Sequence, residues 1–282
     1  MRQKIVCILA AQRAGTTALQ TAMSSTGDLV NYGEIFQMLP SGGGPKRRLF
    51  WSFVRDQNVA FTDVISVRGA ARVAAEYLEW LRQGAAPAHV LIDVKFNALS
   101  ALSPLPRFLG EEPFFLRVMK RENVIILFIW RKDLGEQVLS TYISRKLGLW
   151  HNITPQKMGN LKFSAPVERL SRLATLICTT ENAIGRYLSG YQNCLILSYE
   201  ELFADGVIAG DALYRIRSIT GIDIGSGMLG RMRPNTIDKR EVILNYDEAA
   251  AAIDAVKRKE RSGVLDDRAG FGSMASDSCT GP

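Results

Sequence analysis

The chain has 282 residues, 47% hydrophobic content and a mean hydropathy of +0.01, which is typical of a globular protein with a full core. No apolar run reaches the length of a membrane span. The first run, over residues 5–11, also lacks the flanks of a secretory signal. A formal net charge of +7 suits an anionic ligand or nucleic acid and does not choose between them.

Short apolar runs alternate with stretches of helical periodicity, which predicts an α/β fold with a central parallel sheet flanked by helices. The predicted strands cover residues 4–10, 89–96, 123–130 and 194–199. The predicted helices cover residues 16–24, 73–83, 134–147, 167–188, 210–220 and 247–260. The segment 40–63 is interpreted as a long excursion over the sheet edge. We expect a single domain over 1–260 and a flexible C-terminal tail over 261–282, where Gly, Ser and Asp are frequent.

An anion site is predicted where the first strand meets the first helix. Free backbone N–H groups and the helix dipole point at whatever lies there. Arg13 adds a fixed charge that can grip a multi-oxygen anion through paired hydrogen bonds, and two threonines add hydroxyl donors. The residues of this loop and of the helix start are Gln12, Arg13, Ala14, Gly15, Thr16 and Thr17.

The loop differs from a nucleotide-triphosphate loop, which needs Gly-x-x-x-x-Gly-Lys-Ser/Thr. It contains one glycine, Gly15, and no lysine before its threonines, which disfavours a metal-dependent triphosphatase. The apolar run 89–93 nevertheless mimics a strand that ends in a Mg²⁺-binding aspartate, Asp93. A P-loop kinase or nucleotide triphosphatase therefore stays open as the alternative enzyme.

A second anion-binding candidate follows the predicted strand 123–130. Arg131 comes at the carboxyl end of this strand, where ligands of doubly wound sheets bind. Asp133 can cap the helix that follows, and Ser140 lies two turns into that helix, away from its apolar stripe. The alternative is that Arg131 and Lys132 are solvated charges.

The cysteines and histidines exclude a zinc site of ordinary spacing. None of the four cysteines forms a Cys-x-x-Cys pair, and the only histidines are His89 and His151. Cys7 and Cys194 lie inside apolar runs, which favours reduced core positions. We therefore expect a cytoplasmic protein.

Four blocks of this sequence, in order, resemble the sulfotransferases that use 3′-phosphoadenosine 5′-phosphosulfate (PAPS). The likeness is greatest to bacterial enzymes that act on sugars, of the trehalose 2-sulfotransferase and nodulation-factor sulfotransferase types. The blocks are residues 9–17, 31–40, 128–140 and 231–236, the last leading to 242–246. The resemblance implies the sulfotransferase fold, with a P-loop-like sheet and loops that cover the substrate.

The resemblance also implies which part of PAPS, the sulfuryl donor, each block would bind. The loop from Arg13 to Thr17 would hold the 5′-phosphosulfate and stabilise the leaving anion electrostatically. The 3′-phosphate would be held by Arg131 and Ser140. Arg231 and Arg233 would neutralise the nucleotide from the other side, or else belong to a solvated basic loop.

The acceptor hydroxyl needs a base, and the resemblance implies Glu34. Eukaryotic cytosolic sulfotransferases use a histidine in a Lys-Thr-His strand, but Asn97 stands at that position here. The sugar-sulfating bacterial group places a glutamate after the first helix, as Glu34 is placed; the alternative is that Glu34 is a surface acid in a loop. We expect Tyr32 and Phe36 to desolvate this carboxylate and to raise its basicity.

Lys95 matches the lysine of the Lys-Thr-His strand and would stabilise the bridging oxygen as it departs. A lysine that pairs with Asp93, or that lies at the surface, is the alternative for this residue.

The predicted reaction is direct, in-line sulfuryl transfer from PAPS to a hydroxyl of a sugar or a glycosylated or lipid acceptor. Its product would be adenosine 3′,5′-bisphosphate (PAP). No metal and no covalent enzyme intermediate are implied. Segments 40–82 and 142–162 would hold the acceptor, with Trp150 as a stacking platform.

The non-enzyme alternative is a basic nucleic-acid-binding module. The net charge and the run Lys46-Arg47-Arg48 suggest it. It lacks the interleaved aromatic and basic surface of such modules, so we expect no nucleic-acid partner. The sequence does not predict an oligomeric state.

Overall fold

The computed structural model describes residues 3–37, 48–105, 110–148, 162–204, 207–222 and 238–261. In these residues the strands are β1 (Ile5–Ala10), β2 (Leu29–Glu34), β3 (His89–Lys95), β4 (Ile125–Trp130), β5 (Cys194–Ser198), β6 (Phe203–Ala204) and β7 (Val207–Ile208). The helices are α1 (Thr16–Met23), α2 (Phe50–Asp56), α3 (Phe61–Ile65), α4 (Val67–Ala85), α5 (Phe114–Arg121), α6 (Leu134–Leu147), α7 (Val167–Tyr187), α8 (Tyr199–Leu202), α9 (Gly210–Thr220), α10 (Lys239–Val242) and α11 (Tyr246–Glu260).

Over the described ranges, β1 to β5 form one parallel sheet in the order β2-β3-β1-β4-β5, and β6 pairs antiparallel with β7. The predicted α/β fold is therefore confirmed. Every residue of β1 and β4 is buried, as parallel strands covered on both faces require. Cys7, at the centre of β1, is fully buried, whereas Cys194 at the start of β5 is half-buried.

The segment 40–63 was expected to be a long excursion, but α2 and α3 occupy much of it. Phe50 is fully buried and meets the ring of Tyr77 edge-on, with 5.2 Å between ring centroids. Phe53 packs against the same Tyr77 ring at 5.4 Å. Aromatic burial against α4 therefore folds this part of the chain into helix, although no side chain caps α2. Residues 38–47 lie outside the described ranges.

Two compact units divide the chain. The first comprises Met1–Arg131 and Gly190–Arg233 and contains the sheet. The second comprises Lys132–Ser189 and Pro234–Pro282, and its described helices are α6, α7, α10 and α11. The predicted domain limits stay a prediction.

A buried ion pair joins two helix regions of the second unit. Arg261, which follows α11, lies 2.5 Å from Glu181 of α7, and both side chains are buried. The Arg261 guanidinium also donates to the carbonyl of Lys132 at 3.2 Å. Arg261 is the first residue of the predicted tail, and residues 262–282 lie outside the described ranges.

Among the described helices, none is long and apolar enough to cross a membrane.

Candidate active site

The sheet order brings the two predicted anion-binding segments together. β1 and β4 are neighbours, with Ala10 opposite Ile129, and each strand ends at the same edge of the sheet. From β1 the chain continues to β2 on one side of the sheet, and from β4 it continues to β5 on the other side. The carboxyl ends of β1 and β4 thus flank a topological switch point, where open α/β sheets bind ligands. Arg13 follows β1, and Arg131 follows β4.

The loop after β1 has the geometry of an anion site. Arg13 and Gly15 both have left-handed backbone conformations, with φ of 64° and 78°. Such residues can turn successive backbone N–H groups to one side, and a non-glycine residue in this region is uncommon. Gly15 is the N-cap of α1, and its cap has no side-chain hydrogen bond. The first N–H groups of α1 have no acceptor within the helix, so they can receive an anion.

Gly15 is required by a close contact as well as by its conformation. A Cβ atom at this position would lie 2.5 Å from Cε2 of Tyr199 and 3.2 Å from Cε2 of Phe203. Tyr199 starts α8, directly after β5. The tight approach holds the loop against the end of β5, and only a residue without a side chain permits it.

Replacing Gly15 by alanine is therefore expected to strain the backbone and to push the loop away from Tyr199. The matched control is Gly27→Ala, since Gly27 has φ of +81° but no atom lies within 4 Å of the position that its Cβ would take. We expect Gly27→Ala to cost about 1–2 kcal/mol from its conformation alone. Gly15→Ala should cost about 1–3 kcal/mol more, as in other overpacked sites. Urea unfolding measures both, and equal losses would contradict a role for the Tyr199 contact.

Arg131 packs directly on this loop. Its Nη1 donates to the carbonyl oxygen of Arg13 at 3.4 Å, and its guanidinium lies over the ring of Tyr199, 4.6 Å from the centroid. Its Nε lies 3.9 Å from Oε1 of Glu200. Burial, and next the nearby charge of Arg131, lower the pKa of Arg13. Two like charges are thus held close together, and an anion bound between them would relieve their repulsion.

The remaining predicted anion-binding residues have varied positions. Ala14 and Thr16 are buried, Gln12 is half-buried, and Thr17 is exposed. Ser140 lies in α6 and is half-buried, but it belongs to the second compact unit. Its proposed partnership with Arg131 stays a prediction. Arg231 and Arg233 lie outside the described residues.

A buried polar cluster lies beside the loop, at the carboxyl end of β3. The Nζ atom of Lys95 lies 2.7 Å from Oδ2 of Asp93 and donates to the hydroxyl of Thr16. It also lies 3.9 Å from Oε1 of Glu34. The register explains this grouping, because β3 pairs with β1 on one side and with β2 on the other, where Asp93 is opposite Glu34. The pairing of Lys95 with Asp93, which the sequence left open as the alternative to a catalytic role, is observed, and the same ammonium group contacts Thr16 at the start of α1.

The resemblance to the sulfotransferases gave Asp93 no role, and the sequence named it only in the alternative interpretations. It is 1% exposed, and its Oδ2 atom also accepts a hydrogen bond from Nε2 of Gln20 at 2.5 Å. Burial raises its pKa, and the charge of Lys95 opposes that effect. The available signal was an aspartate inside an apolar strand, two residues before a lysine on the same face.

Glu34 ends strand β2, whereas the sequence placed it in a segment after the first helix without predicting a strand. Its side chain is 35% exposed and accepts a hydrogen bond from Nε2 of Gln37 at 3.0 Å. The rings of Tyr32 and Phe36 are buried in the core, where Phe36 meets Phe115 edge-on. The carboxylate is therefore more open to solvent than the expected desolvated base, and an acceptor can reach it.

The histidine of the described residues is not part of this site. His89 begins β3, at the amino ends of the parallel strands and so opposite to the site. There its Nδ1 atom accepts a hydrogen bond from the backbone N–H of Lys4 at 3.1 Å. His151 lies outside the described residues. Where the structure is described, no group of three or more His, Cys, Asp or Glu side chains has the arrangement of a metal site.

Comparison with known proteins gives a likeness of fold. No protein-family model and no curated protein matches the chain. Among solved structures, mouse sulfotransferase SULT7A1 complexed with PAP matches 95% of this chain and 88% of its own length, with a TM-score of 0.51 and 11% sequence identity. A likeness at that identity concerns the fold, and the protein accordingly has the sulfotransferase fold.

Proposed function

We propose that this protein is a PAPS-dependent sulfotransferase that moves a sulfuryl group to a hydroxyl of a sugar or of a glycosylated or lipid acceptor. The observation that carries the proposal is the meeting of Arg13 and Arg131 at the N-terminus of α1, at the switch point of the sheet. The fold supports it, since a solved protein of that fold is a sulfotransferase complexed with PAP.

The residues of the first unit fit an anionic nucleotide. The start of α1 has no side-chain cap, and the neighbouring charges of Arg13 and Arg131 favour a ligand with several negative charges. When bound, PAPS would supply the sulfuryl group. The loop from Gln12 to Thr17 would hold its 5′ end. Arg131, together with Ser140, Arg231 and Arg233, would hold the rest of the nucleotide.

Glu34 is the proposed general base. Its carboxylate is open to solvent on one side and lies near the Lys95 ammonium on the other, so an acceptor hydroxyl can approach it and lose a proton to it. Lys95, held by Asp93 and Thr16, would stabilise negative charge that develops on the departing oxygen. The acceptor class follows from the resemblance to the sugar-sulfating bacterial enzymes, which use a glutamate at this place.

Several features disfavour the alternative functions. Oδ2 of Asp93 accepts hydrogen bonds from Lys95 and Gln20, which differs from the metal-facing aspartate of a P-loop kinase. The Arg48 guanidinium is engaged within the protein, since it lies over the Trp80 ring, 4.1 Å from the centroid, and donates to the Trp80 carbonyl, which disfavours a role in nucleic-acid binding. We further propose that the protein acts in the cytoplasm, on small-molecule, glycan or glycolipid acceptors.

Ligand-dependent thermal stability tests the proposal. We expect PAP at about 100 times its Kd to stabilise the protein by about 2.7 kcal/mol, with a smaller effect of Mg–ATP at equal concentration. A larger effect of Mg–ATP would favour the kinase alternative. Salt-dependent binding of RNA or DNA, with no response to PAP, would favour the nucleic-acid alternative.

A further inference from the structure

The ammonium group of Lys95 lies between a hydroxyl and a carboxylate. Thr16, the first residue of α1, accepts a hydrogen bond from Nζ, and Asp93 accepts another at 2.7 Å. All three residues are buried, with exposed fractions of 5% for Thr16, 1% for Asp93 and 7% for Lys95. The contact is therefore part of the interior of the site.

This pair of oxygen ligands matches the pair that holds a metal ion in another class of enzyme. P-loop nucleotide triphosphatases bind Mg²⁺ through the Ser or Thr hydroxyl that follows the phosphate loop and through an aspartate of a nearby strand. Here Thr16 follows the anion loop, and Asp93 belongs to the adjacent strand β3, opposite Ile8 of β1. A lysine nitrogen stands between the two.

We propose that the Lys95 ammonium occupies the cation position of this site, and that removing its side chain leaves a latent divalent-cation site formed by Thr16 and Asp93. Two neighbouring groups complete the surroundings. Gln20 fixes the Asp93 carboxylate through its 2.5 Å hydrogen bond, and Glu34 places a second carboxylate 3.9 Å from the nitrogen. The part that this cation plays in catalysis rests on the proposed sulfuryl transfer, whereas the cation position itself does not.

Charge balance explains why the cation is needed. Asp93 is buried, and a buried carboxylate without a partner destabilises a protein strongly. Lys95 supplies the partner and lies under the start of α1, where the helix dipole is also positive. The same positive charge faces the anion loop, so one side chain serves both the fold and the bound anion.

Mn²⁺ binding tests the inference directly, with the ion itself as the probe. Lys95→Ala opens the space of the ammonium, and we expect it to bind Mn²⁺ with a Kd of about 10⁻⁴–10⁻³ M, as expected for a site with few protein ligands. Loss of the electron paramagnetic resonance signal of free Mn²⁺ measures this binding. The wild-type protein should bind Mn²⁺ at least tenfold more weakly at this place, because the ammonium repels the ion (a difference of about 1.4 kcal/mol).

Two control variants distinguish the effect of the volume freed at Lys95 from the effect of the lost charge. Lys95→Met removes the charge but fills the same volume, so it should not gain a Mn²⁺ site. The double variant Lys95→Ala/Asp93→Asn opens the space but removes the ligand charge, and it should also bind no Mn²⁺. Equal binding by Lys95→Ala and by either control would overturn the inference, as would no gain of binding in Lys95→Ala.

Folding of the variants provides a second measurement. Lys95→Ala removes the cationic partner of Asp93, so the melting temperature of the variant should fall, and about 10 mM MnCl₂ should restore part of the loss by mass action. Lys95→Ser serves as a second open variant. If both stay unfolded in MnCl₂, the inference fails, because a bound ion would favour the folded state. None of these measurements needs nucleotide or acceptor, so a failed PAP test would leave their outcome unaffected.

Discussion

Glu34→Gln is expected to lower turnover about 10²–10⁴-fold, the usual contribution of a general base. Glutamine keeps the shape of the side chain and can still meet Gln37, but it does not accept the acceptor proton. Binding of PAP should stay close to that of the wild type, because the described polar contacts of Glu34 are with Lys95 and Gln37 and not with either arginine of the anion loop. Sulfation of sugar acceptors, with trehalose tested first, measures turnover, and calorimetry measures PAP binding.

The control for this change is Glu168→Gln. Glu168 is an exposed residue of α7 whose ion pair with Arg172 lies on the helix surface. We expect this variant to keep wild-type activity, because surface ion pairs contribute little. A Glu34→Gln enzyme that keeps most of its rate would remove Glu34 from the role of base.

Arg131→Ala is expected to weaken PAP about tenfold to 100-fold, since a hydrogen bond to a charged group is worth about 1.5–3 kcal/mol. The affinity for adenosine 5′-phosphosulfate, which lacks the 3′-phosphate, should fall much less. Some loss for both ligands follows from the structure, because Arg131 also donates to the Arg13 carbonyl and covers Tyr199. The ratio of the two losses, measured by calorimetry, therefore carries the result.

Arg55→Ala controls for the loss of one positive charge. Arg55 lies in the same compact unit, and its side chain is 77% exposed. The Arg55→Ala protein should bind both nucleotides with the affinities of the wild type. Equal losses of PAP and adenosine 5′-phosphosulfate in Arg131→Ala would mean that the 3′-phosphate binds elsewhere.

Of the five strands of the main sheet, the sequence predicted β1, β3, β4 and β5 but missed β2, which lies at one edge. β1 and β4 are short, continuous apolar runs rich in β-branched residues, which are typical of central parallel strands. β2 reads Leu-Val-Asn-Tyr-Gly-Glu, with two residue types that strands disfavour, and its register shifts between Asn31 and Gly33. Glu34 could therefore be singled out by resemblance, but not its position on a strand opposite Asp93.

The meeting of Arg13 and Arg131 depends on strand order, which local pattern does not determine. Each arginine was predicted at the carboxyl end of a strand, but their contact requires that β1 and β4 be neighbours. The pairing of Asp93 and Lys95 could be named as an alternative from the sequence, because residues two apart on a strand share a face. Their contact with Thr16 was not, since it joins segments 79 residues apart in the chain.

The placement of Glu34 on an edge strand would separate the two tasks of the proposed catalytic centre. In the proposed enzyme, nucleotide capture would belong to the loops after β1 and β4, whose buried residues leave little freedom for change. Proton removal by Glu34 would belong to β2, which pairs with β3 alone and has a register shift between Asn31 and Gly33. Substitutions in β2 can thus alter which hydroxyl is deprotonated while the donor stays bound as before. This modular arrangement makes the sheet border the natural place to redesign acceptor choice.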